Sequence, residues 1–465
     1  MNQSPTICAI STAPGTGGIA VIRVSGSEAI SISEKLLLFH QEDKKLKMLD
    51  ANQAGFAHIK SVDGEWIDDV IVTVFKSPHS FTGEDVVEIS CHGSLYIQQR
   101  ILQLLIQEGC ELAQPGEFTQ RAFLNGKMDL AQAEAVADLI ASSSASAHRM
   151  ALHHMRGGFS KQLKQLRGQL LDFVSLIELE LDFSEEDVQF ADRSQLKDLA
   201  TDITSIISKL ADSFRVGQAL KNGIPVALVG ETNVGKSTLL NLLLDEDKAI
   251  VSDIHGTTRD FIEDVVEIKG ITFRIIDTAG IRKTSDTIEN LGIERTYQKI
   301  EQASIVLWIL DCTQLSEHME WLTEKIHKKA SDKKVILVFN KIDKITNEET
   351  EVLDQLFSSF EAEKIYISAK QKINLNLLED ALHRASQIPE INQGDVVVSN
   401  IRHYEALHKA LNAIERVNEG LESGITGDFL SQDLRECMHY LGEITGQISN
   451  DEVLGNIFGK FCIGK

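Results

Sequence analysis

The chain of 465 residues is 43% apolar and 25% charged, a composition typical of a soluble globular protein of about three domains. Its formal net charge of −23 argues against indiscriminate binding to polyanions, and no apolar run approaches the roughly 18 residues of a membrane span. The six cysteines include no C-x-x-C pair, which predicts reduced thiols rather than a disulfide framework or a zinc site. The first residues, MNQSPTICAI, lack the pattern of a secretory signal, so we expect a cytoplasmic protein.

Four segments of different character follow one another along the chain. Residues 1–120 combine short β-branched runs such as IAVIRVS and DDVIVTVF with one helical stretch, which predicts an α/β domain. Residues 121–216 and 384–465 carry apolar side chains at helical spacing. Between them, residues 217–383 alternate strand-like runs such as PVALVG and KVILVFN with helical runs, the pattern of a doubly wound, mostly parallel sheet.

The two helical segments are predicted to form one domain. An exposed amphipathic stripe needs a partner, and a domain tolerates an insertion where its ends lie close together. The fold class is therefore a multidomain α/β protein in which a doubly wound module is inserted into an α-helical domain. Two separate helical bundles are the alternative.

A phosphate-binding loop opens the inserted module. GETNVGKS (230–237) fits G-x-x-x-x-G-K-[ST] after the strand-like run IPVALVG and before the apolar run TLLNLLL. In such a loop, backbone N–H groups surround phosphates at the start of a helix. Lys236 is predicted to reach the terminal phosphates, and the Ser237 hydroxyl to bind Mg²⁺. The P-loop residues assigned to the nucleotide are Asn233, Val234, Gly235, Lys236, Ser237 and Thr238.

Two further motifs predict the surroundings of the metal and the γ-phosphate. GTTRD (256–260) offers Thr258 as a second hydroxyl for Mg²⁺, on a loop that would order around a triphosphate. DTAG (277–280) ends a strand-like run, which places Asp277 near the metal and the Gly280 N–H toward the γ-phosphate.

The last two motifs select guanine. In NKID (340–343), Asp343 can accept hydrogen bonds from the N1–H and the exocyclic amine of guanine, a pair of donors that adenine lacks. The SAK motif (368–370) offers a backbone N–H to the guanine O6. These motifs together predict a P-loop GTPase domain, with further GTP contacts from Thr258, Asp277, Thr278, Ala279, Gly280, Asn340, Lys341, Asp343, Ser368, Ala369 and Lys370.

The motifs leave open how the attacking water is activated. Ras-like enzymes place a glutamine after the glycine of the DTAG-type motif, but that position here is Ile281. The next loop offers Asp286 and Glu289 as carboxylates, and a monovalent cation near Asn233 could supply positive charge. The alternative is a nucleotide-gated switch with feeble hydrolysis.

One basic stretch contrasts with the acidic average. Residues 139–171 contain five lysines and arginines, three histidines and no acidic residue. Such a patch can hold a nucleic-acid backbone even on an acidic protein. A solvated helix face is the alternative.

The five motifs, the helical flanks, the stretch PGEFTQRAFLNGKMDLAQAEAVADLI (115–140) and the tail FCIGK resemble the MnmE (TrmE) family of tRNA-modification GTPases over the whole length. The resemblance implies a homodimer whose N-terminal domains pair and bind 5,10-methylene- or 5-formyl-tetrahydrofolate, and whose G domains meet when GTP and K⁺ are bound. It also implies a flavoprotein partner, MnmG, which brings FAD and NADH. The two proteins would place an aminomethyl or carboxymethylaminomethyl group on C5 of the wobble uridine of certain tRNAs. A regulatory GTPase switch in ribosome assembly or a stress response is the alternative.

The resemblance also implies roles for individual residues. Glu289 matches the family's catalytic glutamate, which holds the attacking water. The implied K⁺ ligands are Asn233, Ser252, Ile254 and Thr257, and the implied GTP contacts of the same loop are Ser252, Asp253, Ile254, His255, Gly256 and Thr257. The implied folate residues are Arg23, Glu88 and Lys127, since a carboxylate can pair with the N–H edge of a pterin and cations suit its glutamate tail.

The tail CIGK has the outline of a prenylation box, but its lysine and glycine fit that box poorly, and we expect no membrane anchor. We predict instead that the tail extends toward the folate pocket, where Lys465 offers two charges and Gly464 lets the backbone pass closely. Cys462 is a candidate nucleophile, the alternative being a small buried anchor. GTGGIA (15–20) has the outline of a dinucleotide fingerprint, but the β-branched run after it predicts a strand rather than the helix which that motif needs.

Overall fold

The computed structural model describes residues 4–39, 45–61, 63–182, 193–246, 264–276, 298, 300–314, 330, 333–389, 395–448 and 451–464. These residues fall into two compact units. The first unit comprises 1–140, 152–207 and 406–465, and the second comprises 141–151 and 208–405. Within the described ranges, no helix combines the length and the apolar character that crossing a membrane requires.

Both units contain strands as well as α-helices. The described strands are β1 (Ile7–Ile10), β2 (Gly17–Ser25), β3 (Leu37–Phe39), β4 (Gln53–Lys60), β5 (Trp66–Phe75), β6 (Val86–Gly93), β7 (Glu111–Leu112), β8 (Ile224–Val229), β9 (Asp264–Ile268), β10 (Ile271–Ile275), β11 (Ile305–Asp311), β12 (Lys334–Asn340) and β13 (Glu363–Ile367). The described α-helices are α1 (Ala29–Leu36), α2 (Leu95–Gln107), α3 (Glu117–Leu124), α4 (Leu130–Ala141), α5 (Ala145–Met155), α6 (Gly158–Asp182), α7 (Arg193–Asp212), α8 (Phe214–Asn222), α9 (Lys236–Glu246), α10 (Asn347–Leu356), α11 (Leu375–Ser386), α12 (Ile401–Ser423), α13 (Gly427–Thr445) and α14 (Asp451–Phe458). Short 3₁₀ turns lie at Leu46–Met48 and Ile342–Lys344.

A seven-stranded sheet forms the core of the N-terminal part of the first unit. Its order is β3–β4–β5–β6–β2–β1–β7, antiparallel except for the parallel pair of β1 and β7. Because side chains alternate between the faces of a strand, Val70, Val72 and Val74 of β5 share one buried face, and α1 and α2 pack on that face. Strand β2 begins at Gly17, inside GTGGIA, so the motif leads into a strand and lacks the helix that a dinucleotide site needs.

The helical flanks meet within the first unit. Helix α6 packs along α13, with Leu163, Leu170 and Phe173 of α6 fully buried. The apolar stripe predicted from helical spacing is therefore the contact face, and the predicted packing of two distant segments is confirmed. At the end of the chain, Phe458 of α14 joins Leu130 in a smaller core, and α14 packs on α3.

The second unit is built on a six-stranded sheet in the order β13–β12–β11–β8–β10–β9. All neighbours are parallel except the hairpin of β9 and β10. Apolar clusters lie on both faces, as expected of a parallel sheet covered on both sides, and the doubly wound prediction is confirmed. Residues 141–151 belong to this unit because Met150 packs with Leu220 and Val397. The carboxyl ends of β8, β12 and β13 lie at one edge, where ligands of such sheets bind.

Candidate nucleotide-binding site

The P-loop joins β8 to α9, and its two motif glycines stand where no side chain fits. A Cβ atom at Gly230 would lie 2.4 Å from the Ile309 carbonyl oxygen. At Gly235, which has φ +100°, a Cβ atom would lie 2.3 Å from Nδ2 of Asn340. The close approach of the Ile309 carbonyl and of the Asn340 side chain therefore explains both glycines of the motif.

Lys236 begins α9 and places its ammonium within the loop. Its Nζ donates hydrogen bonds to the carbonyl oxygens of Gly230, at 2.7 Å, and Glu231, at 2.5 Å. A cation beside the N-terminus of a helix is an arrangement that favours phosphate, because the helix dipole and the ammonium carry the same sign. Ser237 follows in the first turn of the same helix.

Asn340 holds two predicted motifs together. Its side chain is buried, with Nδ2 donating to the Val234 carbonyl at 2.7 Å and Oδ1 accepting from the Ala369 N–H at 3.0 Å. The P-loop, the NKID motif and the SAK motif, far apart in sequence, thus meet at one side chain. Asn340 therefore supports the P-loop through its Nδ2 and the SAK loop through its Oδ1.

Asp343, the predicted guanine-selecting residue, lies in the 3₁₀ turn that follows β12. Its Oδ1 accepts a 2.6 Å hydrogen bond from the Ser368 hydroxyl. The same hydroxyl accepts from the Gln371 N–H at 3.2 Å. The carboxylate that would read the base is therefore oriented by the SAK loop, and Lys370 is exposed on that loop.

Asp311 belongs to the site although none of the sequence motifs predicted it. Asp311 ends β11 and is buried, and its carboxylate accepts hydrogen bonds from Lys341 and Thr313. Burial alone would raise the pKa of Asp311, but the bonds from Lys341 and Thr313 outweigh burial, so the pKa is lowered from its ordinary value. An aspartate directly after the apolar run IVLWIL was the signal that could have identified it.

Several predicted residues lie outside the described ranges. They are the loop residues Ser252, Asp253, Ile254, His255, Gly256, Thr257 and Thr258, the DTAG residues Asp277, Thr278, Ala279 and Gly280, the carboxylate Glu289 and the terminal Lys465. The described part of the site is the P-loop with the base-binding motifs.

The predicted folate residues lie in the first unit. Arg23 of β2 and Glu88 of β6 occupy directly opposite positions and form an ion pair, with Nε–Oε1 at 2.9 Å. The Arg23 guanidinium lies 5.6 Å from the ring centroids of both Phe81 and Phe118. Lys127 donates to the Pro78 carbonyl at 2.8 Å, so Pro78 and Phe81 contact two of the three predicted side chains, Lys127 and Arg23.

An ionic network around the buried Arg121, beside this pair, was not predicted. Arg121 donates to both Glu84 and Glu117, and also to the Pro5 carbonyl at 2.8 Å. Glu84 in turn accepts from the Ser25 hydroxyl at 2.7 Å. The four-residue spacing of Glu117 and Arg121 on α3 was the available signal, since such side chains are neighbours on a helix.

The tail docks on the N-terminal sheet. Gly464 has φ +92°, and a Cβ atom there would lie 2.1 Å from the Ile10 carbonyl oxygen, so the close approach predicted for this glycine is confirmed. Its own carbonyl accepts from the Ser11 hydroxyl at 3.0 Å. Because Cys462 is exposed, the alternative of a buried anchor is wrong for its side chain.

The geometry defines the chain as a P-loop nucleotide-binding protein with a base-reading motif of the guanine type. Two family models agree with this class of protein and name a particular family within it. The model described as MnmE helical domain matches residues 130–462, and the model described as GTP-binding protein TrmE N-terminus matches residues 6–127.

Similar full-length proteins carry one name. The tRNA modification GTPase MnmE of Bacteroides thetaiotaomicron is 58% identical over 468 aligned residues, which cover 100% of both chains. The protein of the same name from Bacteroides fragilis is 59% identical, again over 100% of both chains, and that from Parabacteroides distasonis is 57% identical over 99% of this chain and 100% of its own. The chain therefore belongs to the MnmE family, as the sequence motifs predicted.

Proposed function

We propose that the protein is a K⁺-dependent GTPase which, together with the flavoprotein MnmG, adds an aminomethyl or carboxymethylaminomethyl group to C5 of the wobble uridine of certain tRNAs. The observation that carries the proposal is the match over 100% of both chains to relatives named tRNA modification GTPase MnmE. The P-loop, NKID and SAK motifs, which Asn340 joins, support the nucleotide part. The protein would act in the cytoplasm as a homodimer.

The proposed domains follow the segments of the sequence. Residues 1–120 would bind the one-carbon tetrahydrofolate and form the dimer, and residues 217–383 would form the G domain. Residues 121–216 and 384–465 would form the helical domain, with the CIGK motif at its end. The packing of α6 on α13 supports a single helical domain.

In the proposed GTPase reaction, the protein binds phosphate and positions water. Lys236 neutralises phosphate charge, and the P-loop N–H groups orient the triphosphate. Mg²⁺, held by Ser237 and Thr258, and K⁺, held by Asn233, Ser252, Ile254 and Thr257, would supply positive charge to the transferred phosphoryl group. Ser237 and Asn233 fit these ions because both offer oxygen donors, which hard cations prefer. Glu289 would hold the attacking water in line.

The N-terminal sheet would hold the folate. The donor set fits a folate: Glu88 is a carboxylate for the pterin N–H edge, Phe81 and Phe118 are aromatic surfaces beside it, and Arg23 and Lys127 are cations. The tail would bring Cys462 and Lys465 to the same domain, since Gly464 lies against Ile10. Cys462 is proposed as a nucleophile toward uracil C6 or the one-carbon unit.

Monovalent cations provide the first test of this proposal. GTP turnover by the purified chain in K⁺ should be at least roughly tenfold faster than in Na⁺, because a correctly sized cation stabilises charge in the transition state. GDP affinity, measured in both salts, should change little. Equal turnover in the two salts would remove the cation from the mechanism.

The part of the basic stretch that lies on α6 supports RNA binding by the first unit. On α6, Lys161 and Lys164 are exposed, and a groove of about 540 Å³ beside them is lined by Gln162, Gln165, Leu166, Gly168, Gln169, Asp172 and Ile206. Ammonium groups bind phosphates, and glutamine amides offer donors as well as acceptors. We propose that the tRNA backbone docks along the half of α6 that carries Lys161 and Lys164, away from Asp172.

Charge reversal tests the α6 surface. Lys161→Glu with Lys164→Glu should weaken tRNA binding and flatten its dependence on salt, because two phosphate contacts are lost. GTP turnover without tRNA should not change. The control reverses Lys45 and Lys197, two exposed lysines of the same unit, which alters the net charge equally. Equal tRNA affinity of the two variants would make α6 a solvated face only.

A further inference from the structure

Two successive peptide groups of the P-loop are held from outside by the NKID motif. Asn340 Nδ2 donates to the Val234 carbonyl at 2.7 Å, and Lys341 Nζ donates to the Asn233 carbonyl at 2.9 Å. We refer to these two bonds as the NK clamp. Asn233 has φ +63°, a left-handed conformation that few residues other than glycine adopt readily.

The NK clamp fixes the direction of phosphate-binding donors. In a trans peptide, the carbonyl and the following N–H point in opposite directions. Holding the carbonyls of Asn233 and Val234 toward Asn340 and Lys341 therefore points the N–H groups of Val234 and Gly235 the other way. In a P-loop, such N–H groups bind the phosphates.

Asp311 anchors the lysine of the NK clamp. Its Oδ2 accepts from Lys341 Nζ, and its Oδ1 accepts from the Thr313 N–H at 3.0 Å and the Thr313 hydroxyl at 2.7 Å. The carboxylate is buried, with 3% of its side chain exposed. The two carboxylate oxygens thus have separate partners: Oδ1 accepts from Thr313 in the local turn, and Oδ2 accepts from Lys341.

We propose that Asp311 is a positioning residue of the nucleotide site: through the Lys341 ammonium it fixes the Asn233 peptide and thereby the N–H donors that hold phosphate. The proposal rests on the proposed binding of guanine nucleotides. Asp311 itself touches no reacting group in this scheme. It acts by keeping Lys341 in one place, so that the long lysine side chain loses little freedom when nucleotide binds.

The substitution Asp311→Asn separates the two functions of the carboxylate. The asparagine oxygen can still accept from Thr313, but its NH₂ group presents a donor to the Lys341 ammonium, which is also a donor. The variant therefore breaks the link to Lys341 and keeps the turn. Thr313→Val is the matched control, because it removes a bond to Asp311 and leaves Lys341 untouched.

A double-mutant cycle on GDP binding tests the proposal. Asp311→Asn and Lys341→Met should each weaken GDP affinity about tenfold, mainly through faster dissociation, because a charge-assisted bond is lost. The double variant should bind no more weakly than Lys341→Met alone, since both act through one ammonium. Thr313→Val should stay within about twofold of the wild type. If Asp311 had a merely structural role, its variant would be less stable to heat, and the affinity losses of Asp311→Asn and Lys341→Met would add in the double variant.

The outcomes distinguish this inference from the function on which it rests. If the wild-type chain binds no GDP, the proposed function fails and the inference fails with it. If the wild type binds GDP and Asp311→Asn binds it equally well, or if the two losses add in full, only the inference is overturned. Should Asp311→Asn not fold, Asp311→Ser replaces it in the cycle, and affinity equal to that of the wild type or fully additive losses would again overturn the inference.

Discussion

The Asp343→Asn variant should lose GTP affinity by roughly a hundredfold or more and bind xanthosine triphosphate instead. The carboxylate is expected to accept from the N1–H and the 2-amino group of guanine, and two charge-assisted hydrogen bonds would be lost. An asparagine amide offers a donor to the 2-oxo group of xanthine, which replaces the amine. Its oxygen can still accept from Ser368, so the loop that orients Asp343 is retained. Competition between the two triphosphates against a fluorescent nucleotide measures the change.

The control for this base switch is Asp354→Asn. Asp354 is an exposed aspartate of the same unit that accepts from the Tyr366 hydroxyl at 2.7 Å, and it has no part in the proposed site. Its variant should keep the guanine preference of the wild type. If Asp343→Asn also kept that preference, Asp343 would not be the residue that reads the base.

The Glu289→Ala variant should lose about a hundredfold or more in GTP turnover with nearly unchanged nucleotide affinity. A residue that holds the attacking water acts in the transition state and contributes little to ground-state binding. Single-turnover hydrolysis and GDP affinity, measured separately, distinguish the two effects. Asp286→Ala removes the other carboxylate of the loop and should leave turnover close to that of the wild type. Parallel losses of rate and affinity in Glu289→Ala would assign that glutamate a structural role instead.

Much of the fold could be predicted because it is encoded locally. The runs PVALVG, IVLWILD and KVILVFN became β8, β11 and β12, since continuous apolar runs suit strands buried on both faces. The stripe at Leu163 and Leu170 predicted the buried face of α6, although nothing local identified α13 as its partner. The phosphate-binding loop was predictable because its geometry requires glycine at fixed positions.

The contacts that complete the sites were harder to predict because they join distant residues. Asp311 and Lys341 meet only because β11 and β12 are parallel neighbours. Similarly, Arg121 reaches Glu84 only after α3 has packed near the loop before β6. A single sequence gives the residue types in such networks but not their pairing, which depends on tertiary structure. A close backbone approach at Gly464 was predicted because glycine has no side chain, but its partner, Ile10, was not.

The identity of the modified nucleoside tests the central claim of tRNA modification most directly. Nucleosides of bulk tRNA should be compared in cells that lack the gene and in the same cells carrying the wild-type chain or the Glu289→Ala variant. The proposed function predicts that C5-substituted wobble uridine disappears without the gene, returns with the wild type and stays depleted with Glu289→Ala. Unchanged C5 substitution in the cells that lack the gene would contradict it.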